Sequence, residues 1–305
     1  MATIYTHAGA NIRRTWLLLI IFFVLLIGVF WVFSYAYANP VILYVGVALS
    51  LAMNVGSYWF SDKIVLAIAH ARPVASTENP ELYRVVENLA ITAGLPMPRL
   101  FLISDPAPNA FATGRDPKHA VVAVTSGLLE RLERAELEGV LAHELSHIGN
   151  RDMLIATVVV VLAGVIAIVS DFFFRARMFG GMANDRDNRA GALMMVIAFA
   201  AAILAPIAAT LIRLAISRRR EYLADASGVL LTRYPEGLIA ALRKISLDPR
   251  PLALASTATA HLFFENPFKA DAIGASPRKT SWLVRMFMTH PPIEDRIKAL
   301  RLMNG

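Results

Sequence analysis

The segment HELSH at positions 143–147 carries the residue types of a metal-dependent hydrolase. On a helix, a spacing of four places both imidazoles on one face, where two neutral ring nitrogens can bind one zinc ion. Glu144 lies beside them and can accept a proton from an attacking water. The alternative is an ordinary amphipathic helix with two surface histidines. The pattern predicts His143 and His147 as zinc ligands and Glu144 as the general base.

A catalytic zinc ion needs a third protein ligand and one open position. The chain has no cysteine, which excludes thiolate ligands. Glu221 and Asp225 are four residues apart and share a helical face, so Glu221 can complete the ligand set while Asp225 accepts the outer N–H of a ligating histidine. Arg218, three residues before Glu221, can turn towards the same site. The alternative is a solvated charge cluster in which residues 218–220 meet anionic lipid headgroups.

Two further segments carry candidate substrate contacts. An extended substrate could add as a further strand to the edge formed by Asn109, Ala110, Phe111 and Ala112. The alternative is that these residues form an internal strand. His290 is a candidate donor to the oxyanion that develops during peptide hydrolysis, with Tyr222 a weaker candidate. The alternative for His290 is structural, because the two prolines after it can begin a helix at Ile293.

The hydrophobic residues are concentrated in four segments. Of the 305 residues, 56% are hydrophobic and 17% are charged, whereas soluble domains have about 25% charged residues. The segments cover about 15–38, 41–60, 153–174 and 192–216, each near the length of a bilayer crossing. A cleaved signal peptide is disfavoured for the first, because the run is too long and a second follows at once. The last two could instead be buried helices of a soluble domain. The pattern predicts two hydrophobic helical hairpins in a multi-pass integral membrane protein.

Basic residues indicate how these hairpins are oriented. Arg13 and Arg14 place the N-terminus in the cytoplasm, so the chain after residue 60 returns to the cytoplasm. The loop between the third and fourth segments conflicts with this rule because it carries several arginines (175, 177, 186 and 189). Either the first hairpin determines the topology, or the second enters the membrane without crossing it.

The remaining polar segments predict one water-facing domain. A helix begins at Asn79-Pro80 and ends near Gly94, strands are expected at 99–103 and 119–124, and a helix over about 135–150 can continue into the third apolar segment. The predicted organisation is a membrane hairpin at 1–60, a domain formed by 61–152 with 217–305, and a second hairpin at 153–216. The fold class is therefore a mainly α membrane protein with an α+β zincin-like domain, whose small β-sheet lies beside the HELSH helix.

The net charge of +7 raises nucleic-acid binding as a function. However, the sequence has no basic stretch interleaved with aromatic residues and no known reader motif. The arginines instead border apolar segments, where they can contact a lipid surface. The charge therefore predicts a lipid bilayer as partner and no nucleic acid.

The order of these motifs resembles the HtpX-type integral-membrane zinc metallopeptidases, which are related to the CAAX prenyl endopeptidases. The matched elements are the N-terminal hydrophobic hairpin, PNAFA at 108–112, HELSHIGNRD at 143–152, RRREYLADASG at 218–228 and THPP at 289–292. The resemblance implies one zinc ion per subunit, held by His143, His147 and Glu221, with Glu144 as general base and acid. Many relatives begin the last motif with serine rather than Thr289.

The resemblance also implies a function. It indicates an endopeptidase that cleaves misfolded or damaged membrane proteins during stress, with its active site at the cytoplasmic face of a bacterial inner membrane. Prenyl-protein processing is a second hypothesis. It is disfavoured because the CAAX prenyl endopeptidases have longer chains with more membrane spans. A third reading is a catalytically silent scaffold with a structural zinc ion, but such sites normally use four protein ligands and the sequence offers three.

Overall fold

The computed structural model describes residues 4–36, 38–162, 218–253, 262–265, 267 and 291–303. The helices are α1 (Ile4–Ala36), α2 (Val41–Trp59), α3 (Ser61–Ile68), α4 (Pro80–Ala93), α5 (Ser126–Arg131), α6 (Arg134–Gly149), α7 (Asp152–Leu162), α8 (Arg218–Thr232), α9 (Pro235–Leu247) and α10 (Ile293–Arg301). The strands are β1 (Arg72–Pro73), β2 (Arg99–Ile103), β3 (Ala110–Thr113) and β4 (Val121–Thr125).

The first two helices form the predicted apolar pair. Gly9–Tyr35 of α1 and Val41–Trp59 of α2 are long and apolar enough to cross a membrane. Large apolar side chains such as Ile20 and Val24 remain exposed on the outside of the pair. Trp16 of α1 stacks on Tyr58 of α2, with ring centroids 5.5 Å apart. Such exposed apolar surface is compatible with a lipid environment and not with water.

The helix that carries HELSH does not continue straight into the third apolar segment. α6 ends at Gly149, and the axis of α7 is bent from it by 83°. Arg151 lies in the break with a φ of 57°, a left-handed conformation that a helix interior does not allow. α7 then packs its buried Leu154 and Val158 in one cluster with Phe22 of α1. Residues 163–174 and the whole fourth segment lie outside the described residues.

The small sheet is mixed, with strand order β1-β2-β4-β3. β2 and β4 are parallel, whereas β3 pairs antiparallel with β4 and β1 antiparallel with β2. The segment predicted as a substrate strand is therefore an edge strand of the described sheet rather than an internal one. The prediction of a mainly α protein with a small sheet beside the HELSH helix is confirmed.

Local signals define several element boundaries. The Asn79 side chain accepts a hydrogen bond from the N–H of Leu82 at the start of α4, and Gly94, with a φ of 65°, ends that helix as predicted. β2 has the predicted bounds of 99–103. β4 begins two residues later than the predicted 119–124, because Pro117–His119 form a short 3₁₀ turn capped by Asp116.

α6 is the central helix of the core. Val140, Leu141 and Leu145 are almost completely buried, in one cluster with residues of the sheet, α4, α8 and α9. Gly139 lies so close to α9 that a Cβ atom at this position would be 2.8 Å from the backbone N of Leu238. Gly228 of α8 similarly faces the backbone N of His143, at 3.0 Å from its Cβ position. A glycine on α6 and another on α8 therefore allow the backbones of α9 and α8 to approach α6 closely.

We predict that Gly139→Ala destabilises the protein by about 1–3 kcal/mol, because the added methyl group forces α6 and α9 apart. Gly149→Ala in the same helix is the matched control, since its Cβ would meet only a Leu95 side-chain carbon at 3.8 Å. Thermal unfolding in detergent should show a lower midpoint for Gly139→Ala alone. Equal midpoints for the two variants would contradict the close packing.

Candidate active site and metal centre

α6 and α8 bring three potential metal ligands together. The ligand atoms of His143, His147 and Glu221 all lie within 4.8 Å of one another. The two histidine Nε2 atoms are 3.1 Å apart, and each is 3.7 Å from an oxygen of Glu221. Two ligands at about 2.0–2.1 Å from one tetrahedral zinc ion are themselves about 3.3 Å apart. The observed spacing therefore fits a single ion.

The outer nitrogen of each histidine faces a carboxylate. His143 Nδ1 lies 2.9 Å from Asp225 Oδ1, and His147 Nδ1 lies 3.4 Å from Asp152 Oδ2. A carboxylate at Nδ1 favours the tautomer with its proton there, which leaves Nε2 free to bind a metal. Asp152 was not predicted from the sequence as a partner of His147. It follows α6 after the break, and only the sharp bend returns it to His147.

Arg296 of α10 holds Asp225 in place. Its Nη2 and Nε atoms donate to the two carboxylate oxygens at 2.6 and 2.9 Å, and the side chain is fully buried. Such a two-pronged contact fixes both the position and the plane of the carboxylate. Arg296 was not predicted from the sequence either. Its position on the apolar face of α10, between the partly buried Ile293 and Ile297 and the buried Leu300, was the available signal.

Burial and charge set the protonation of this pair. Burial lowers the pKa of His143 to about 4, although the Asp225 carboxylate opposes the shift. Burial raises the pKa of Asp225, but the charge of Arg296 and the hydrogen bonds from His143 and Arg296 outweigh it and bring the pKa down to about 2. At neutral pH His143 is therefore a neutral imidazole beside an ionised carboxylate.

The pKa of His147 shifts in the opposite direction to that of His143. Burial lowers its pKa, but the hydrogen bond to Asp152 and the charges of Glu221, Asp152 and Glu144 outweigh burial and raise the pKa to about 9. The surrounding carboxylates thus favour a positive charge at this point of the site. A metal cation held by Nε2 would supply that charge in place of the proton.

Glu144 lines the same cavity as the three potential ligands and is 2% exposed. The cavity also contains Ala112 of β3, which brings the edge strand to the ligands. A buried carboxylate beside a metal site can move a proton to or from a group bound there. The arrangement therefore joins a metal-binding group, a proton carrier and a strand edge within one cavity.

The first part of the β3 edge is bonded to another segment of the chain. The carbonyl of Ala110 accepts a hydrogen bond from the N–H of Phe264 at 2.8 Å. The Asn109 side chain donates to the carbonyl of Glu265 and accepts from its N–H. Phe264 also meets His143 edge to face, with ring centroids 5.1 Å apart. Residues 262–264 thus form one wall of the cavity beside β3.

Two residues predicted for the site, Arg218 and His290, are not among the described residues that line the cavity. Arg218 is exposed, so the prediction that it turns towards the site was wrong. The inward arginine is Arg220, which is 9% exposed, lines the cavity and lies 4.0 Å from Asp152. The physical reason is the helical period, because a shift of two residues moves a side chain to almost the opposite face of α8. His290 lies outside the described residues.

We predict that Arg296→Leu lowers the affinity for zinc about 10- to 100-fold, because Asp225 loses the group that orients it. The variant should also destabilise the fold by about 3–5 kcal/mol, since it leaves a buried carboxylate without its partner. Chelator competition and thermal unfolding measure the two effects. Arg301→Leu, at the exposed end of α10, is the control and should change neither quantity.

Comparison with known proteins identifies the relatives of this chain. Residues 76–304 match the model of peptidase family M48. A protease HtpX homolog of Syntrophobacter fumaroxidans is 49% identical over 259 residues, covering 84% of this chain and 87% of that protein. The protease HtpX homologs of Dictyoglomus thermophilum and Pyrococcus furiosus are 42% and 48% identical, over 99% and 94% of this chain and 95% and 94% of theirs.

A solved structure shares the fold. The crystal structure of S. mikatae Ste24p aligns with a TM-score of 0.50 at 18% identity, covering 90% of this chain and 62% of that one. The family match and the HtpX homologs confirm the resemblance inferred from the motifs, and the two apolar helices agree with an integral membrane protein. The chain belongs to peptidase family M48 and is a membrane-bound metalloprotease.

Proposed function

We propose that this protein is a zinc endopeptidase that hydrolyses peptide bonds in misfolded or damaged membrane proteins, as part of proteolytic quality control under stress. The observation that carries the proposal is the position of Glu144 in one cavity with His143, His147 and Glu221. Two imidazole nitrogens and one carboxylate, with no sulfur ligand, form the donor set of many catalytic zinc sites. One zinc ion per subunit accounts for this cluster.

Each residue then has a defined role. His143, His147 and Glu221 hold the zinc ion, which when bound polarises a peptide carbonyl and makes water more acidic. Glu144 accepts the proton of the attacking water and delivers it to the leaving amine. Asp225 and Asp152 orient the two imidazoles. His290 stays a predicted donor to the oxyanion.

The position of the site relative to the membrane supports a substrate in the bilayer. Asn11 of α1 contacts Asp152 beside the metal ligands, and Trp16 is five residues further along the same helix. Five residues of helix span about 7.5 Å. Trp16 contacts Tyr58 of α2, and these two residue types are enriched at membrane interfaces. We place the active site close to the lipid headgroups, within reach of polypeptide segments leaving the bilayer.

The first two helices, α1 and α2, also support a proposal for which side of the membrane carries the site and for the domain organisation. The exposed Arg13 and Arg14 at one end of α1, and Lys63 just after α2, put the basic residues on the side that carries the site. In our proposal this side is the cytoplasmic face of a bacterial inner membrane. Residues 61–152 and 217–305 form the protease domain between hairpins at 1–60 and 153–216, and the packing of α7 on α1 supports a second hairpin beside the first.

The edge strand β3 is proposed to bind the substrate backbone. The carbonyl of Asn109 accepts from the N–H of Thr125, and this pairing alternates, so Ala110 and Ala112 direct their backbone groups away from β4. Ala112 lies in the metal cavity. An extended polypeptide paired with Ala112 would therefore lie beside the proposed zinc ion. Backbone pairing suits an enzyme that accepts many unfolded sequences.

Two other functions are distinguished by substrate. Prenyl-protein processing predicts that a farnesylated peptide is cleaved and its unmodified counterpart is not. A scaffold with structural zinc predicts no cleavage of any substrate. The described residues supply three clustered ligands, whereas a structural site normally uses four. This count favours an open catalytic position.

We predict that Glu144→Gln abolishes cleavage of casein and of a model membrane substrate, with a loss of at least about a hundredfold, because the amide cannot accept a proton. The variant should retain one zinc ion per chain, measured by metal analysis after purification in detergent.

Two variants serve as controls for this experiment. Glu138→Gln changes a residue of α6 that pairs with Arg134 outside the cavity, and should leave cleavage unchanged. Glu221→Ala should lose both zinc and activity. Undiminished cleavage by Glu144→Gln would refute the mechanism.

We predict that Ala112→Pro lowers kcat/KM for an unstructured polypeptide about tenfold, because it removes one N–H that would pair with substrate. Proline is tolerated on an edge strand where the N–H points away from the sheet, so zinc binding should persist. Ala112→Ser retains the N–H and is the matched control. Equal kcat/KM values for the two variants would exclude backbone pairing at this residue.

A further inference from the structure

The first apolar helix reaches the metal centre through one polar side chain. Asn11 is 4% exposed and lies in α1, far from α6 in sequence. Its Nδ2 atom donates to the carbonyl of Asn150 at 3.1 Å and to Asp152 Oδ1 at 2.6 Å. An amide NH₂ group has two hydrogens, and here both are directed at the break between α6 and α7.

Asp152 uses its two oxygens for different partners. Oδ1 accepts from Asn11, whereas Oδ2 lies 3.4 Å from Nδ1 of His147. Because the two oxygens of a carboxylate share one rigid plane, a hydrogen bond to Oδ1 restricts the rotation of the group and thereby the position of Oδ2. Asp152 is 5% exposed, so water competes little for either position. The contact of Asn11 is therefore transmitted to the imidazole of His147.

We infer that Asn11 is a positioning residue for His147, acting through Asp152, and that the metal centre has its full affinity only when α1 is docked against the α6–α7 break. The inference rests on the proposed function, because it takes the zinc site as given. It assigns the first membrane helix a part in metal binding in addition to its role as an anchor. A partner that loosened α1 would thereby weaken the metal site.

A purely structural role for Asn11 makes a different prediction. The bond to the carbonyl of Asn150 satisfies a backbone acceptor at the end of α6, and its loss would destabilise the fold with or without metal. The bond to Asp152 concerns the ligand His147 and affects metal binding itself. Metal affinity and coordination geometry therefore distinguish positioning from helix capping.

The test uses the full chain in detergent, with Asn11→Ala and the nearly isosteric Asn11→Asp. Chelator competition gives the zinc dissociation constant, and the visible spectrum of the cobalt(II)-loaded protein reports the coordination geometry. We expect Asn11→Ala to weaken zinc binding about 10- to 100-fold and to alter the cobalt spectrum. Asn11→Asp should weaken binding further, because its carboxylate would face that of Asp152.

Coupling between the two residues provides the sharpest comparison. If Asn11 acts through Asp152, then Asn11→Ala should cause no further loss of zinc affinity in an Asp152→Ala background. Thr15→Val is the matched control: Thr15 is buried one turn along α1 and its hydroxyl donates to the carbonyl of Asn11, away from Asp152. This variant should bind zinc as the wild type does.

Two outcomes would overturn the inference. One is a lower thermal midpoint for Asn11→Ala with an unchanged zinc dissociation constant and cobalt spectrum. The other is an equal loss of affinity with and without Asp152. If Asn11→Ala does not fold, Asn11→Ser, which keeps a shorter donor, supplies the same comparison and should show a smaller loss. Wild-type protein that binds no zinc would instead refute the proposed function, so the two failures are separable.

Discussion

The site depends on the burial of negative charge around two imidazoles. Four carboxylates, from Glu144, Asp152, Glu221 and Asp225, are each less than a tenth exposed. Buried charge is costly unless it is paired, and the buried guanidinium groups here are those of Arg220 and Arg296. Two negative charges are left over among these six groups. A divalent cation bound by the two histidines and Glu221 would neutralise them, in agreement with the positive charge that the carboxylates favour at His147.

This constraint explains why the surrounding core is so closely packed. α6 must present His143, Glu144 and His147 to the cavity while its other faces are covered by apolar residues of the sheet and three helices. Glycines at 139 and 228 let neighbouring backbones approach without side chains between them. Close packing around α6 keeps the ligand atoms of His143, His147 and Glu221 near the spacing that a single tetrahedral ion requires. Such preorganisation limits the rearrangement that metal binding requires.

The membrane hairpin and the protease chemistry are joined at the break after α6. The bend places Asp152 beside His147 and directs α7 onto α1, so one change of direction serves both purposes. A straight continuation would carry Asp152 away from the histidine. The left-handed conformation of Arg151 is the local cost of this geometry. In this protein the anchor and the active site therefore share a single structural junction.

The sequence predicted whatever depends on local spacing. Residues four apart on a helix share a face whatever the rest of the chain does, and this spacing predicted His143 and His147 as candidate ligands and Glu221 and Asp225 as a pair. The length of the apolar segments predicted α1 and α2, and Asn79 and Gly94 predicted where α4 begins and ends. The prediction that Arg218 turns towards the site was wrong, because a shift of two residues along α8 moves a side chain to almost the opposite face. Arg220 lines the cavity instead.

Other features depend on contacts between distant segments. Arg296 reaches Asp225 across 71 residues, and Asn11 reaches Asp152 across 141. The edge position of β3 follows from strand order, and its contact with Phe264 comes from a remote loop. The sequence by itself determined which groups could bind a metal and move a proton. Only the tertiary structure decided which buried charges hold those groups in place, because such pairing is set by packing across the fold and leaves no periodic pattern.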